Sequence, residues 1–454
     1  MGLMSEGRSV FNKIVEDAGV IFVSYPVGGV YPYLPFGARM FRRLQRMLEE
    51  FLEETGHEPI LFPSLIPLSL FRREVDFFEG FSPEALLAEK TLSGRELDEP
   101  LVLRPTSEVP IYYVFSQIIK SWRDLPLKVY QNVTVHRIET KATAPFFRLR
   151  EVTGFSEEHA FARDEEEARR IFEEAVRLYS RFIDSLGLPY LIVESPEWDL
   201  FPGARRNWDF ITILPDGKLL ELASVIDLAQ KFARAFEIMY QDREGVNRYV
   251  NQVTYGIGLD RILGALLWLA MDERGLVLHP RIAPIDVVVV PIYYSEADRR
   301  VVTEYLESRV LPALSSAGLH YHVDTRERTP GYKYYYWESR GIPFRVEVGK
   351  REASEGLVTL FRRDTLEKRQ VPAGDIPGEI ARASAEYASN LASRIRAKAS
   401  ELLERHTLQL DVPFEREECL RIEEERDVTT IGRIVEVRGF DEGLVGRILF
   451  GRKY

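Results

Sequence analysis

Several arginines in this sequence stand where they could hold the phosphates of a nucleotide. Arg137 and Glu139 precede a short polar loop that ends at Arg148 and Arg150, and Arg261 follows a glycine-rich stretch. Guanidinium groups in fixed positions stabilise the negative charge that spreads over phosphoryl oxygens when ATP activates a carboxylate. The sequence contains no Gly-x-x-x-x-Gly-Lys-Ser/Thr loop, so arginines would have to bind the phosphates in place of a P-loop.

Length and composition limit the class of protein. A chain of 454 residues predicts about two to four domains. Its net charge of -11 argues against a protein that coats nucleic acid, although a local basic face is compatible with it. No apolar run is long enough to cross a membrane and the first residues lack the apolar core of a signal peptide, so we expect a cytoplasmic protein. The single Cys419 can form neither an internal disulfide nor a multi-thiolate zinc site.

Helical and extended patterns alternate in the first part of the chain. Residues 36–56 predict one long amphipathic helix, and residues 57–67 predict an extended segment closed by prolines. Residues 125–137 and 146–155 predict an antiparallel pair of strands. The remaining predictions are a helix at 164–186, a hairpin at 208–222 that turns at 215–217, and a glycine-rich start followed by a helix within 255–271. Together these elements favour one large α+β unit.

The pattern changes from residue 285 onward. Strands that begin at 285 and at 344 alternate with helices at 297–317 and near 333–340, which favours a smaller α/β domain. A long amphipathic helix is then predicted from about 376 to 406. The expected domains are 1–283, 284–375 and 376–454.

Three motifs in the first 280 residues resemble the signatures of class II aminoacyl-tRNA synthetases, and they occur in the family's order. The first is residues 56–63 (GHEPILFP), the second is Arg137-Ile138-Glu139 with residues 148–151 (RLRE), and the third is residues 256–261 (GIGLDR). The resemblance implies an antiparallel catalytic sheet flanked by helices. It also implies a homodimer through the first motif, around Pro63.

The same resemblance assigns nucleotide-binding roles to the arginines. Arg137 would bind the α-phosphate of ATP, and Glu139 would accept a hydrogen bond from the adenine amino group. Arg148 or Arg150 would grip the γ-phosphate, while Arg261 would stack on adenine or also hold the γ-phosphate. Mg2+ would bridge the phosphates, and Gln230 would lie near the nucleotide.

Two further segments resemble the prolyl-tRNA synthetases of the archaeal and eukaryotic-like type. They are residues 103–108 (LRPTSE) and residues 155–159 (FSEEH). A secondary ammonium group requires a carboxylate and a hydrogen-bond acceptor, and an aliphatic ring requires an aromatic wall. The residues that the resemblance places around proline are Thr106, Glu108, Arg137, Phe155, Glu157, His159 and Ser224.

The second domain resembles the anticodon-binding domain of the same family in residues 328–333 (RTPGYK), 337–338, 341–343 and 345–349 (RVEVG). Arginine and carboxylate side chains can read guanine edges. The implied readers of the proline tRNA anticodon are Glu338, Arg345 and Arg351. The resemblance also implies a small C-terminal α+β domain that lacks the zinc of archaeal relatives, and a terminal Tyr454 that points toward the active site.

Some positions depart from the family pattern near the expected substrate. Ile226 stands where a histidine is usual, Ala144 replaces an arginine of the second-motif loop, and Phe161 replaces a second pocket histidine. The main interpretation is therefore ATP-dependent activation of proline and its ligation to proline tRNA. The alternatives are a catalytically impaired relative that binds tRNA or has a regulatory role, and a related synthetase with altered amino-acid selectivity.

Overall fold

The computed structural model describes residues 2–73, 79–80 and 84–454, with the backbone alone for residues 2–6. The α-helices are α1 (Gly2–Asp17), α2 (Pro35–Glu54), α3 (Leu68–Phe71), α4 (Glu108–Ile118), α5 (Glu165–Asp184), α6 (Lys231–Ala235), α7 (Leu259–Ala270), α8 (Glu296–Tyr305), α9 (Leu311–Ser316), α10 (Pro330–Ser339), α11 (Lys350–Glu355), α12 (Ile376–His406) and α13 (Arg416–Arg426). The strands are β1 (Glu58–Pro59), β2 (Leu65–Pro67), β3 (Leu86–Lys90), β4 (Glu96–Leu103), β5 (Leu127–His136), β6 (Glu151–Ala162), β7 (Tyr190–Glu194), β8 (Arg206–Ile213), β9 (Lys218–Ala229), β10 (Met239–Gln241), β11 (Asn247–Tyr249), β12 (Asn251–Gly258), β13 (Val287–Pro291), β14 (Tyr321–Val323), β15 (Phe344–Val348), β16 (Leu357–Arg362), β17 (Lys368–Pro372), β18 (Leu408–Leu410), β19 (Thr429–Arg438) and β20 (Ile448–Lys453).

A large, mainly antiparallel sheet carries the first part of the chain. Its strand order is β1-β5-β6-β12-β9-β8-β7-β19-β20-β18. Pairing is antiparallel except between β1 and β5 and between β20 and β9. The antiparallel catalytic sheet that the sequence predicted is confirmed.

Helices α5 and α7 pack on this sheet, and α2 packs against both of them. Helix α2 turns Met40, Leu44, Leu48 and Leu52 into the core at the four-residue spacing of one helical face. The predicted helix at 36–56 is thus present with slightly shifted ends. The extended segment predicted at 57–67 is split between β1 and β2, which belong to different sheets. The prolines inside this segment cannot donate hydrogen bonds to a continuous strand.

Two other predicted elements begin or end differently from the sequence pattern. The strand expected from residue 146 begins at Glu151, because Phe146 has a φ of 67° and turns with Phe147 into the core. The helix expected at 297–317 is present over residues 296–316, with a π-helical turn at Leu306–Val310 between α8 and α9.

The second domain contains the five-stranded sheet β14-β13-β15-β16-β17. Strands β13, β14 and β15 are parallel, and β16 and β17 complete the sheet with antiparallel pairs. This is the α/β domain that the alternation of elements predicted. Its apolar core is continuous with that of the main sheet, and residues of α12 belong to the same cluster.

The last strands extend the main sheet and do not form a sheet of their own. Strand β19 pairs with β7, and β20 pairs with β19, β18 and the start of β9. The C-terminal segment is therefore joined to the first part of the chain by backbone hydrogen bonds, and the boundary at 375/376 remains a prediction. Among the described helices, none combines the length and the apolar character needed to cross a membrane.

Candidate active site and anticodon surface

Two adjoining cavities open on one face of the main sheet, over strands β6, β9 and β12. The larger has a volume of about 330 Å3, and the smaller has about 60 Å3. Both are lined by Arg137, Phe155, Glu221 and Gly256. Arginines from the second and third motifs therefore lie over one shared sheet, as the resemblance implied.

One end of the larger cavity is acidic. The hydroxyl of Thr106 donates to Glu108 at 2.6 Å, and it lies 3.2 Å from Glu157. Glu157 also accepts from the backbone N–H of Ser107 at 3.1 Å and from the amide of Gln131 at 2.8 Å. Burial, and then the charge of Glu157, raises the pKa of the Glu108 carboxyl above its usual range. An ammonium group bound beside the two carboxylates would lower the pKa of Glu108 again, because an adjacent positive charge favours the ionised carboxylate.

Arg137 joins the two cavities. Its guanidinium lies 5.4 Å from the centroid of the Phe155 ring, and its Nε donates to the carbonyl of Pro105 at 2.9 Å. Burial, and then the nearby charge of Arg261, lowers the pKa of Arg137. Both guanidinium groups line the smaller cavity, where they would attract an anion.

The opposite wall of the larger cavity contains a network around Asp209. Its carboxylate accepts hydrogen bonds from the hydroxyls of Ser195 and Ser224 and from the amide of Asn207 at 3.0 Å. Burial, and then the charge of Glu221, raises the pKa of Asp209. Ser224 is therefore at the cavity, as predicted. The sequence analysis missed Asp209, although a carboxylate inside a largely apolar strand was an available signal.

His159 lies behind the larger cavity and not on its wall. The side chain is fully buried, with Nδ1 3.3 Å from the hydroxyl of Tyr112 and 3.2 Å from that of Thr254. Nε2 has no hydrogen-bond partner in the described part of the chain. Burial lowers the pKa of His159 to about 4, so this histidine is neutral at physiological pH and supports the pocket from beneath.

The positions that depart from the family pattern are apolar parts of the same region. Ile226 lines the larger cavity, and Phe161 lies in the cluster below it. Ala144 lies in the second-motif loop and is buried in the main core.

The smaller cavity holds most of the predicted nucleotide-binding residues. Glu139, Arg148 and Arg261 line it, and Arg148 Nε lies 3.8 Å from Glu139. Arg261 donates to the backbone carbonyl of Glu221 at 2.8 Å. These groups surround a space of the polarity that an adenine ring and phosphates need.

Arg150 and Gln230 are not brought to the cavity walls. Arg150 donates to the carbonyl of Gly28 at 3.2 Å and to that of Glu139 at 3.4 Å. Gln230 follows Ala229, whose φ is 48°, and its amide turns to the carbonyl of Tyr249 at 3.3 Å. In both cases the side chain that the resemblance assigned to the nucleotide donates its hydrogen bond to a backbone carbonyl.

The predicted anticodon readers occupy different environments. Arg345 is 3% exposed and donates to Glu338 and to Glu347, at 2.8 Å each. Arg351 is exposed on α11 and pairs with Glu355 at 3.3 Å. The surface next to Arg345 includes Lys368, which pairs with Glu347 at 2.8 Å and which the sequence analysis did not select.

The chain is similar to known proteins in both its first and its second domain. Residues 90–268 match the tRNA synthetase class II core domain (G, H, P, S and T) family, and residues 286–383 match the anticodon binding domain family. The chain is 41% identical to the proline–tRNA ligase of Methanopyrus kandleri over 89% of this chain and 82% of that one. It is 43% identical to that of Aeropyrum pernix over 87% and 81%.

A solved structure is similar over almost the whole chain. Prolyl-tRNA synthetase from Giardia lamblia, in complex with prolyl-adenylate, superimposes with a TM-score of 0.89 at 27% identity and covers 99% of each chain. The main sheet, the second domain and the C-terminal strands thus share one architecture with that enzyme. The chain belongs to the proline–tRNA ligase family of class II aminoacyl-tRNA synthetases.

Proposed function

We propose that the two adjoining cavities activate proline with ATP and that the protein then ligates the prolyl group to proline tRNA. The observation that carries this proposal is the position of Arg137, between the acidic end of the larger cavity and the arginine-lined smaller cavity. An amino acid whose ammonium group meets Glu108 and Glu157 would present its carboxylate toward this guanidinium.

In the first step, a carboxylate oxygen of proline forms a bond to the α-phosphorus of ATP. The bond from that phosphorus to the bridging oxygen breaks, and pyrophosphate leaves with the electron pair. Arg137 stabilises the charge on the α-phosphoryl oxygens, while Arg148 and Arg261 hold the remaining phosphates. Glu139 accepts from the adenine amino group. Phe155 forms the wall against the proline ring.

Mg2+ fits the oxygen ligands between the two cavities. The carboxylate of Glu221 lines both of them and is half-exposed beside Arg261. Carboxylate oxygen is a preferred ligand of Mg2+, which commonly binds through one or two carboxylates and substrate phosphates. The ion would neutralise phosphate charge. We also propose that the protein works without structural zinc, because such sites usually use several cysteines and the sequence has one.

In the second step, a ribose hydroxyl at the 3′ end of the tRNA forms an ester bond to the prolyl carbonyl carbon. AMP leaves with the electron pair of the broken acyl–phosphate bond, and the hydroxyl proton ends on solvent. Glu338, Lys368 and Arg351 read the anticodon, and buried Arg345 holds the carboxylates of Glu338 and Glu347 in position. We place the reaction in the cytoplasm.

A homodimer would form through the segment around Pro63. Leu61 in this segment is 94% exposed, which is unusual for a leucine beside a large core. Burying it against a second copy would remove this apolar surface from water.

Replacement of Arg137 tests the first step. In the Arg137→Ala variant, proline-dependent exchange of pyrophosphate into ATP should fall by about 100-fold or more, because a preorganised charge is lost. Arg299→Ala, on an exposed helix of the second domain, should leave exchange near the wild-type rate. Alanine and cysteine are run beside proline to measure selectivity. An undiminished rate in Arg137→Ala would remove its phosphate role, and no exchange in the wild type would refute the proposed activity.

A further inference from the structure

Strand β20 brings the side chain of Lys453 to the wall of the larger cavity. Its ammonium pairs with Asp199, with 2.6 Å between Nζ and Oδ2. Asp199 belongs to the loop between β7 and β8, which continues along the cavity wall as Leu200 and Phe201. The side chains of Lys453 and Asp199 are 42% and 54% exposed. An ion pair this exposed contributes little to folding stability. Lys453 can therefore exchange Asp199 for another anion at little cost.

The backbone that carries Lys453 is firmly held although its side chain is on the surface. Residues 452 and 453 pair in parallel with Lys218 and Leu219, and the N–H of Tyr454 donates to Leu219 at 3.0 Å. The ring of Tyr454 packs 5.1 Å from Phe147, and its hydroxyl donates to Asp216 at 2.7 Å. The ammonium can therefore change its partner while the strand stays in place.

Other cations lie along the same edge. Lys218 Nζ and the Arg8 guanidinium lie 4.6 Å and 5.1 Å from the centroid of the Tyr454 ring. Arg8 pairs with Asp216, and Arg452 pairs with Asp427 at 2.7 Å. Lys218 makes no ion pair with any residue that the structure describes. Burial, and then repulsion from Arg8, lowers the pKa of Lys218. Arg8 and Arg452 are thus neutralised by their carboxylate partners, and of the cations at this edge Lys453 is the one that lines the larger cavity.

The position of Lys453 indicates which phosphate group it could bind, that of ATP or that of the tRNA. The smaller cavity, with Arg148 and Arg261, surrounds the proposed site of the ATP phosphates, and Lys453 lines the larger cavity instead. The other phosphate-bearing substrate is the tRNA, whose 3′ hydroxyl must reach the activated carbonyl in that cavity. We propose that Lys453 leaves Asp199 and binds a phosphate near the 3′ end of the tRNA during the transfer step. This inference rests on the proposed function.

Separate measurement of the two steps tests the proposal. In Lys453→Gln, kcat/KM for tRNA charging should fall about tenfold relative to pyrophosphate exchange, and the salt dependence of tRNA binding should decrease by about one phosphate contact. Lys453→Arg keeps the cation and should restore most of the charging. The matched control is Lys90→Gln, which removes an exposed lysine paired with Glu96 at 3.1 Å and should change neither ratio.

Replacement of Asp199 distinguishes two roles of Lys453. In one, Lys453 binds the tRNA, and in the other it only holds the loop of Asp199 in place, as a latch. Asp199→Asn releases Lys453 and removes a negative charge, so it should lower KM for tRNA. A latch would instead make Asp199→Asn and Lys453→Gln lose charging in parallel, and that result would overturn the proposal.

A tRNA without its single-stranded 3′ end gives a second readout. The wild type should bind the shortened tRNA several-fold more weakly than the intact one, whereas Lys453→Gln should bind both with similar affinity. An equal loss in both proteins would overturn the proposal. Absence of exchange in the wild type would instead refute the proposed function.

Discussion

The hydroxyl of Thr106 lies within hydrogen-bond distance of two carboxyl groups, those of Glu108 and Glu157. Burial and the neighbouring charge both disfavour the ionised form of Glu108. A substrate ammonium needs that ionised form. Occupancy of the cavity by proline and the protonation state of Glu108 are therefore linked.

The pH dependence of the reaction should report this linkage. Because the pKa of Glu108 is raised, lowering the pH protonates it in a range where an ordinary carboxyl is still ionised, so kcat/KM for proline should fall as pH decreases toward that range. Glu157→Gln removes the neighbouring charge and should move the fall to lower pH, besides lowering the rate. Glu296→Gln, on an exposed side chain of α8, is the control. A flat profile through the acid range would contradict the assignment of Glu108.

At the scale of single residues, four of the six residues that the sequence assigned to the nucleotide line the smaller cavity, and two do not. Arg261 lies in α7, which helical periodicity predicted. Arg137, Glu139 and Arg148 lie between β5 and β6, and only the second motif pointed to them. Arg150 and Gln230 lie away from the cavity walls because backbone carbonyls accept their hydrogen bonds, and their assignment to the nucleotide stays a prediction. Ala229, next to Gln230, has a positive φ, which non-glycine residues rarely adopt and which no sequence pattern signals.

Among the elements, helix α7 has a direct effect on the nucleotide cavity. Its Gly264 faces the second-motif loop so closely that an added Cβ would lie 2.8 Å from Cε1 of Phe147. Phe146 and Phe147 both line the smaller cavity. The absence of a side chain at 264 therefore lets the loop close over this cavity.

Gly264→Ala should push this loop outward. We expect a loss of roughly 1–3 kcal/mol in the free energy of unfolding from overpacking, together with a higher KM for ATP in the exchange assay. Gly378→Ala in α12 is the matched control, because its Cβ would meet only Arg382 at 3.8 Å. It should be neutral or stabilise by up to about 1 kcal/mol. Urea unfolding measures both, and an unchanged Gly264→Ala protein would contradict the close contact.

Over the whole molecule, the family resemblance implied the antiparallel sheet. Local periodicity predicted helices such as α2, α5 and α12, because helical spacing is a local property, but it missed α1, α4 and α13. It did not predict that β18, β19 and β20 join the sheet begun by β5 and β6. Pairing between strands that are far apart in the chain depends on which sheet edges remain unpaired after the rest has folded, and local sequence patterns do not indicate this.

Assembly of two chains is tested by the exposed leucine of the first motif. Leu61→Asp should raise the dimer dissociation constant at least about tenfold, because an apolar contact is lost and a charge is placed in the interface. Val246→Asp, at a side chain that is 49% exposed in a turn, should keep the wild-type size. Sedimentation at several concentrations measures both, and a monomeric wild type would contradict the dimer.

The pairing of β20 with β9 also bears on synthesis of the protein. Asp216 and Tyr454, which meet beside the nucleotide cavity, are 238 positions apart in the chain. During synthesis on the ribosome, the edge of β7 and the start of β9 thus remain unpaired while the second domain is translated. Unpaired strand edges promote aggregation. Growing chains would need a chaperone or fast folding of the second domain until β19 and β20 emerge to cover them.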